Sequence, residues 1–174
     1  MFQTIWDELN GSFTVVAPII AGTRLMAALF LGGIIGFERE HKEKPAGLRT
    51  HMLVAFAACL FIIVGQQLGA VGFGGDADKR VDPLRLIEAV TQGVAFLAAG
   101  IIFTSGGKVR NITTGASMWL AGAIGLACGA GQVPLAAMAT LIVVAVIAVL
   151  RTVERRLGTH EPMPQGEPDG DRRD

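Results

Sequence analysis

The sequence predicts an all-α integral membrane protein with five transmembrane helices. Of its 174 residues, 51% are hydrophobic, and the mean hydropathy of +0.51 exceeds that of ordinary soluble domains. The apolar residues form runs of membrane-spanning length, and most charged residues lie between or after those runs. Composition therefore disfavours a soluble globular domain, and a formal net charge of +0 gives no support to nucleic-acid binding.

The chain divides into three predicted parts. In residues 1–12, apolar residues such as Ile5 and Leu9 recur at helical steps between polar ones, which predicts an interfacial amphipathic segment. Residues 13–150 contain the apolar runs and form the predicted five-helix transmembrane domain. Residues 151–174 are rich in Pro, Gly, Asp and Arg, so we expect a polar, disordered cytoplasmic tail.

The boundaries of the spans follow from the apolar runs and from local signals. Arg24 lies inside the first span, because the apolar residues after it are too few to cross a hydrocarbon core of about 30 Å. Asp82 and Pro83 are typical of a helix N-cap and first helical residue, and they open the third span. The predicted spans are 13–37, 51–68, 84–103, 112–128 and 134–150.

Lys and Arg are distributed unequally over the connections, which predicts the orientation. The connection between spans one and two, the loop that contains Lys108 and Arg110, and the segment after Leu150 carry most of the basic residues. Because basic connections stay in the cytoplasm, we expect the N-terminus outside and the C-terminus inside.

Spans one and two resemble spans three and four, which suggests a duplicated helical hairpin followed by a fifth helix. The alignment places Gly36 on Gly100 and Thr50 on Thr114, but few identities survive, so chance is the alternative. The same register places Arg24 on Glu88 at a similar depth. These two side chains either pair inside the membrane, or Arg24 extends to the outer headgroups while Glu88 stays near water.

Other polar residues also fall within the spans. Glu88, Gln92, Ala95 and Ala99 recur at helical steps and predict a semi-polar stripe that faces other helices rather than lipid. The stripe could join helices, or it could line a path for an ion or a proton. The candidate intramembrane polar residues are Arg24, Glu88, Gln92, Thr113 and Thr114.

Small residues at four-residue steps predict close helix packing, either within one chain or at a homodimer face. The helix-packing positions are Gly32, Gly36, Gly93, Gly100, Gly125 and Gly129. Cys59 and Cys128 lie inside apolar runs, and we interpret them as packing residues.

The polar segment after span one predicts a helical extension that Pro45 ends. Three pairs of opposite charge stand four residues apart: Glu38 with Lys42, Arg39 with Glu43, and Glu40 with Lys44. The extension is either a solvated helix end or a docking surface for another membrane protein, and the nearby basic residues disfavour a Mg²⁺ site. The residues that we assign to partner contact are Glu38, Arg39, Glu40, Arg49 and Thr50.

Catalysis has no support in the sequence. The chain contains no HExxH or GxSxG motif, and Lys108 lacks the leading Gly and trailing Ser or Thr of a phosphate-binding loop. We therefore expect no enzyme activity, no cofactor and no bound metal.

With these residues in view, the sequence resembles the MgtC/SapB family of bacterial inner-membrane proteins over residues 24–150. The resemblance rests on GFERE at 36–40, AGLRTHMLV at 46–54, DPLR at 82–85, GVAFLAAG at 93–100 and VRNITTGASMW at 109–119. It departs from the family where Gln and Ser are frequent in span three, here Ala89 and Gln92, which weakens any inference about a polar path there. Many relatives carry a soluble C-terminal domain, whereas only the polar residues 151–174 follow the last span here, so we expect a short form.

The resemblance implies a multi-pass protein of the bacterial inner membrane, linked to Mg²⁺ limitation, acid stress or survival in a host. It implies a regulator that lies in the lipid bilayer and binds other membrane proteins, such as the ATP synthase or a transporter. A homo-oligomer is a further possible assembly. The alternative is a Mg²⁺ or proton transporter or channel component. The spans contain no series of acidic residues that crosses the membrane. This favours the regulator, because a path for a divalent cation needs oxygen ligands inside the membrane.

Overall fold

The computed structural model describes residues 13–70 and 82–157, together with Met1, Gln3 and Gly11. Most of the predicted interfacial segment, the connection between spans two and three, and the tail from residue 158 lie outside the described residues. From residue 13 onward the described chain forms five helices and one hairpin: α1 Pro18–His41, α2 Leu48–Ala70, α3 Pro83–Ile101, β1 Phe103–Ser105, β2 Lys108–Arg110, α4 Ile112–Gly129 and α5 Val133–Leu157.

Helices α1 to α4 are long and apolar enough to cross a membrane. The apolar part of α5, Val133–Val149, is shorter, although the helix continues past the predicted boundary at residue 150 to Leu157. The all-α membrane class is therefore confirmed, with four spans supported by length. The fifth span, the orientation and the duplication stay predictions.

The first helix is displaced from its predicted span. It begins at Pro18 rather than at residue 13, because proline has the φ angle of a helix and lacks the N–H that would be unpaired in the first turn. It ends at His41, so the charged residues after Phe37 continue the helix as predicted, but only up to that residue. Glu43 then adopts a left-handed conformation with φ 51°, and the chain turns toward α2.

Local sequence signals set the start of α3 and the turn of the hairpin that follows it. The Asp82 carboxylate accepts a hydrogen bond from the Leu84 N–H at 2.9 Å, which confirms the predicted start of α3. After α3 the structure has a hairpin where the sequence predicted a loop. Gly106 and Gly107, with φ values of 60° and 74°, form its two-residue turn, and glycine tolerates that conformation without a Cβ clash.

Helices α1, α2 and α4 pack against one another, and α3 packs mainly on α4. Their core includes Ile35, Cys59 and Ile124, which are completely or almost completely buried. The structure divides into two compact units: Met1–Leu141 contains this bundle, and the described part of the second unit, from Ile142, is the rest of α5.

One end of the bundle, here called the polar end, holds the end of α1, the start of α2, the hairpin and the start of α4. The prediction that the first polar segment and the Lys108 loop share one side is confirmed, because Arg39 of α1 contacts Thr113 and Thr114 of α4. The opposite end holds Arg24, the end of α2 and the end of α4.

Candidate functional site

A buried guanidinium group joins α1 to α4 at the polar end. Arg39 is only 6% exposed, and its Nη2 donates hydrogen bonds to Thr113 Oγ1 at 3.1 Å and Thr114 Oγ1 at 3.4 Å. Thr114 is buried, whereas Thr113 is exposed. The sequence assigned Arg39 to partner contact and the two threonines to membrane depth, and the structure brings all three together.

A buried histidine extends the same cluster to α2. His51 Nδ1 lies 2.8 Å from the Gly47 carbonyl oxygen, and since a carbonyl only accepts, this nitrogen carries a proton and donates. His51 Nε2 lies 3.0 Å from Ser117 Oγ, and the same hydroxyl lies 2.9 Å from the Thr114 carbonyl oxygen, so the one proton of Ser117 is shared between these two acceptors. The side chains of three helices thus form one hydrogen-bonded network, the polar-end network, made of Arg39, His51, Thr113, Thr114 and Ser117.

Glycines of α1 make this network possible. A Cβ added at Gly36 would lie 2.7 Å from the Leu48 Cα, and one at Gly32 would lie 2.8 Å from the His51 carbonyl oxygen. Because neither residue has a side chain, α1 approaches the first turns of α2 closely enough to place Arg39 near His51. These two glycines thus lie at close contacts between α1 and α2 within the chain.

The predicted charge pairs of the polar segment form only in part. Glu38 pairs with Lys42, as expected. The described residues contain no ion pair of Arg39 with Glu43 or of Glu40 with Lys44, because the helix ends before those partners and the chain turns away. These two predictions are wrong.

Glu40 instead stabilises the start of α2. Its Oε2 accepts a hydrogen bond of 2.7 Å from the Leu48 N–H, so the Glu40 carboxylate caps the first turn of α2. Arg49 is exposed and Thr50 is half-buried, so the structure leaves Arg49 outside the polar-end network.

Arg24 organises the opposite end. Its Nη1 donates to the Gly129 carbonyl oxygen at 2.9 Å and to Gln66 Oε1 at 3.3 Å. Glu88 is exposed and accepts a 3.2 Å hydrogen bond from Gln92 Nε2. Arg24 and Glu88 do not pair in the described structure, so that alternative is wrong; the arginine instead bonds the last carbonyl of α4, that of Gly129.

The semi-polar stripe of α3 faces outward. Glu88, Gln92, Ala95 and Ala99 are all exposed, whereas the buried residues of the helix are Val94 and Ala98. The described helices of this chain do not cover the stripe, so the helices that it was predicted to face rather than lipid are not found within the bundle. The face of α3 that carries Val94 lies against α4 instead, because Gly122 of α4 has no side chain and leaves room for the Val94 side chain.

The remaining glycine predictions divide between α3 and α4. At Gly125 an added Cβ would overlap the Ala55 carbonyl oxygen, and at Gly129 it would lie 2.6 Å from the Cys59 carbonyl oxygen. These two glycines pack against α2. Gly93 and Gly100 have nothing within 4 Å of an added Cβ, so the prediction that they mediate packing fails within the monomer. Both cysteines are buried, as predicted.

A cavity of about 450 Å³ lies between α2, α3 and α4 at the opposite end. Apolar side chains and the Gln66 amide line most of its wall, and Gln66 is already bonded to Arg24. In residues 13–70 and 82–149, no three His, Cys, Asp or Glu side chains are placed together to hold a metal ion.

Sequence reasoning did not find two pairs that the structure joins by hydrogen bonds, His51 with Ser117 and Gln66 with Arg24. The residues around His51 give no signal for Ser117, which is distant in the chain. Only the contact between α2 and α4 brings the two together.

The chain is similar to known proteins over most of its length. The model of a family described as the MgtC family matches residues 25–156. "Protein MgtC" of Brucella abortus (strain 2308) is 42% identical over 127 residues, which cover 73% of this chain and 50% of that protein. "Protein MgtC" of Salmonella typhimurium (strain LT2) is 36% identical over 143 residues, or 82% of this chain and 58% of the relative.

The chain spans about half the length of the curated relatives that it matches. Their names designate no enzyme activity. No solved structure matches the chain significantly.

Proposed function

This chain belongs to the MgtC family, and on that premise we propose that it is a regulatory protein of the bacterial inner membrane that binds and modulates other membrane proteins. The proposal includes the link to Mg²⁺ limitation, acid stress or life in a host that the family resemblance implies. A larger membrane complex, such as the ATP synthase or a transporter, is the proposed partner.

The outward face of α3 carries this proposal. Glu88 and Gln92 are exposed there on a helix of membrane-spanning length, and only 11% of that span is buried within the chain. A carboxylate and an amide that face hydrocarbon are costly unless they find polar partners. A transmembrane helix of another protein can supply such partners, and the open surface at Gly93 and Gly100 allows its backbone to approach closely.

The interior of the bundle supports a regulator rather than a conduit. The α4 backbone touches the α2 backbone where Gly125 meets Ala55, so the seam between these helices has no room for an ion. Guanidinium groups occupy both ends of the bundle, Arg24 at one and Arg39 at the other, and their charges oppose the entry of cations. A Mg²⁺ or proton transporter is the alternative, and it would need a path along the outer face of α3 between copies.

A photo-crosslinking amino acid at Ala95 tests the proposal in cells. We expect a crosslink to a different membrane protein that Gln92→Leu abolishes, and none from the same probe at Phe30, which is 69% exposed on α1. A crosslink only to a second copy would replace the regulator with a homo-oligomer. Saturable Mg²⁺ or proton flux in liposomes that Gln92→Leu removes would favour the transporter.

A further inference from the structure

The first turn of α4 presents backbone N–H groups that the N-cap side chain does not cap. Its N-cap residue, Asn111, adopts a left-handed conformation with φ 64° and makes no side-chain cap, and its Nδ2 donates to the Ile101 carbonyl at 3.2 Å. In the described structure the N–H groups of Ile112, Thr113 and Thr114 therefore have no side-chain cap. A helix start of this kind carries a partial positive charge.

Arg39 adds a full positive charge at the same place. Only 6% of Arg39 is exposed. It donates to the hydroxyl oxygens of Thr113 and Thr114, and its Nε is buried without a hydrogen-bond partner. A buried cation at the positive end of a helix is unfavourable unless an anion compensates it.

The carboxylates nearest in sequence are committed elsewhere. Glu38 pairs with Lys42, and Glu40 caps the Leu48 N–H. Arg39 forms no ion pair with any residue that the structure describes. No described carboxylate therefore contacts the Arg39 guanidinium directly, and the neighbouring Glu38 carboxylate, which is also buried, is paired with Lys42.

The site is open on one side. The Thr113 side chain is exposed, and because its oxygen accepts from Arg39, its hydroxyl proton remains free to donate outward. Guanidinium, hydroxyl and backbone N–H groups together form the donor set that binds a tetrahedral oxyanion.

We propose that the first turn of α4, with Arg39 and Thr113, is a binding site for a phosphate group. The phosphate belongs either to an anionic lipid headgroup or to a free phosphate ion in solution, and both present the same oxygens to the site. This inference does not depend on the regulatory function proposed above, which rests on α3.

Two arms of one experiment distinguish the sources, with the full chain purified in detergent. In the first, inorganic phosphate is titrated against delipidated protein, and binding is followed by the shift in Tm. In the second, protein from nanodiscs of phosphatidylcholine and phosphatidylglycerol is analysed by native mass spectrometry for retained phosphatidylglycerol. Arg39→Gln and Thr113→Val are compared with Arg49→Gln and Thr104→Val, which change exposed residues of the same end.

We expect Arg39→Gln to weaken binding in one arm by roughly tenfold, the effect of one lost charge-assisted hydrogen bond. Thr113→Val should also weaken it, and since this exposed, isosteric change leaves the core intact, it answers the question even if Arg39→Gln unfolds. An effect confined to the phosphate arm identifies a free ion, and one confined to the nanodisc arm identifies a lipid. Wild-type protein that binds neither probe, or variants that bind as the controls do, would overturn the proposal.

Discussion

Arg24 of α1 donates a hydrogen bond of 2.9 Å to the carbonyl oxygen of Gly129, in the last turn of α4. Four carbonyl groups at the end of any helix lack partners within the helix, and the negative end of the helix dipole favours a cation there. Arg24 supplies a donor for the Gly129 carbonyl and a positive charge at this end of the helix. It therefore joins the first helix to the end of the fourth without any carboxylate.

Replacement of Arg24 by alanine should reduce the free energy of unfolding by about 1–3 kcal/mol, because it leaves the Gly129 carbonyl and Gln66 without their donor. Glu88→Ala should have little effect. In a double-mutant cycle measured by SDS unfolding in mixed micelles, the two changes should be additive, as expected for side chains that do not touch. A coupling energy above about 0.5 kcal/mol would restore the membrane ion pair.

His51 and Ser117 should depend on each other for stability. His51 is completely buried and 3.0 Å from Ser117, so Ser117→Ala leaves the His51 Nε2 without its partner, at a cost of about 1–3 kcal/mol, whereas after His51→Ala the Ser117 hydroxyl keeps the Thr114 carbonyl. The double variant should cost less than the sum of the two. The same unfolding assay measures this, with Thr23→Ala, an exposed hydroxyl at the opposite end, as the control. Additive costs would indicate that the two side chains act separately.

Glycine-to-alanine substitutions should change the free energy of unfolding in opposite directions on α4 and α3. Gly125→Ala places a Cβ on the Ala55 carbonyl and should destabilise the bundle by about 1–3 kcal/mol through overpacking. Gly93→Ala meets nothing within 4 Å and should stabilise the isolated monomer by about 0.5–1 kcal/mol, the helix preference of alanine. Equal losses at both positions would mean that α3 is also covered under the conditions of the measurement.

Features that depend on neighbouring residues could be predicted from the sequence. The start of α3 is an example, because Asp82 and Pro83 carry the N-cap signal within two residues. The glycines of α1 and α4 were also identified, since small residues at helical steps have few other uses in a membrane.

The rotation of α3 and the partner of Arg24 could not be predicted. Lipid is as apolar as a helix neighbour, so the hydropathy of α3 does not tell which face this chain covers, and Glu88 and Gln92 lie on the face that it leaves exposed. The acceptor of Arg24 is the backbone of Gly129, and a backbone carbonyl leaves no trace in the identity of a residue. Long-range pairs of this kind need the packing of α1 and α4 to be known first.

The rotation of α3 can be tested by thiol labelling. Gln92→Cys should react quickly with a membrane-permeant maleimide, because Gln92 is exposed, whereas Val94→Cys should be protected, because Val94 is 8% exposed and packs at Gly122. The wild-type chain is the matched control, since its two cysteines, Cys59 and Cys128, are both buried and should give little background. Detergent-solubilised monomer reports the helix itself, and native membranes report what covers it. Protection of Gln92→Cys in membranes but not in detergent would locate a partner on this face, whereas faster labelling of Val94→Cys than of Gln92→Cys in detergent would show that α3 is rotated the other way.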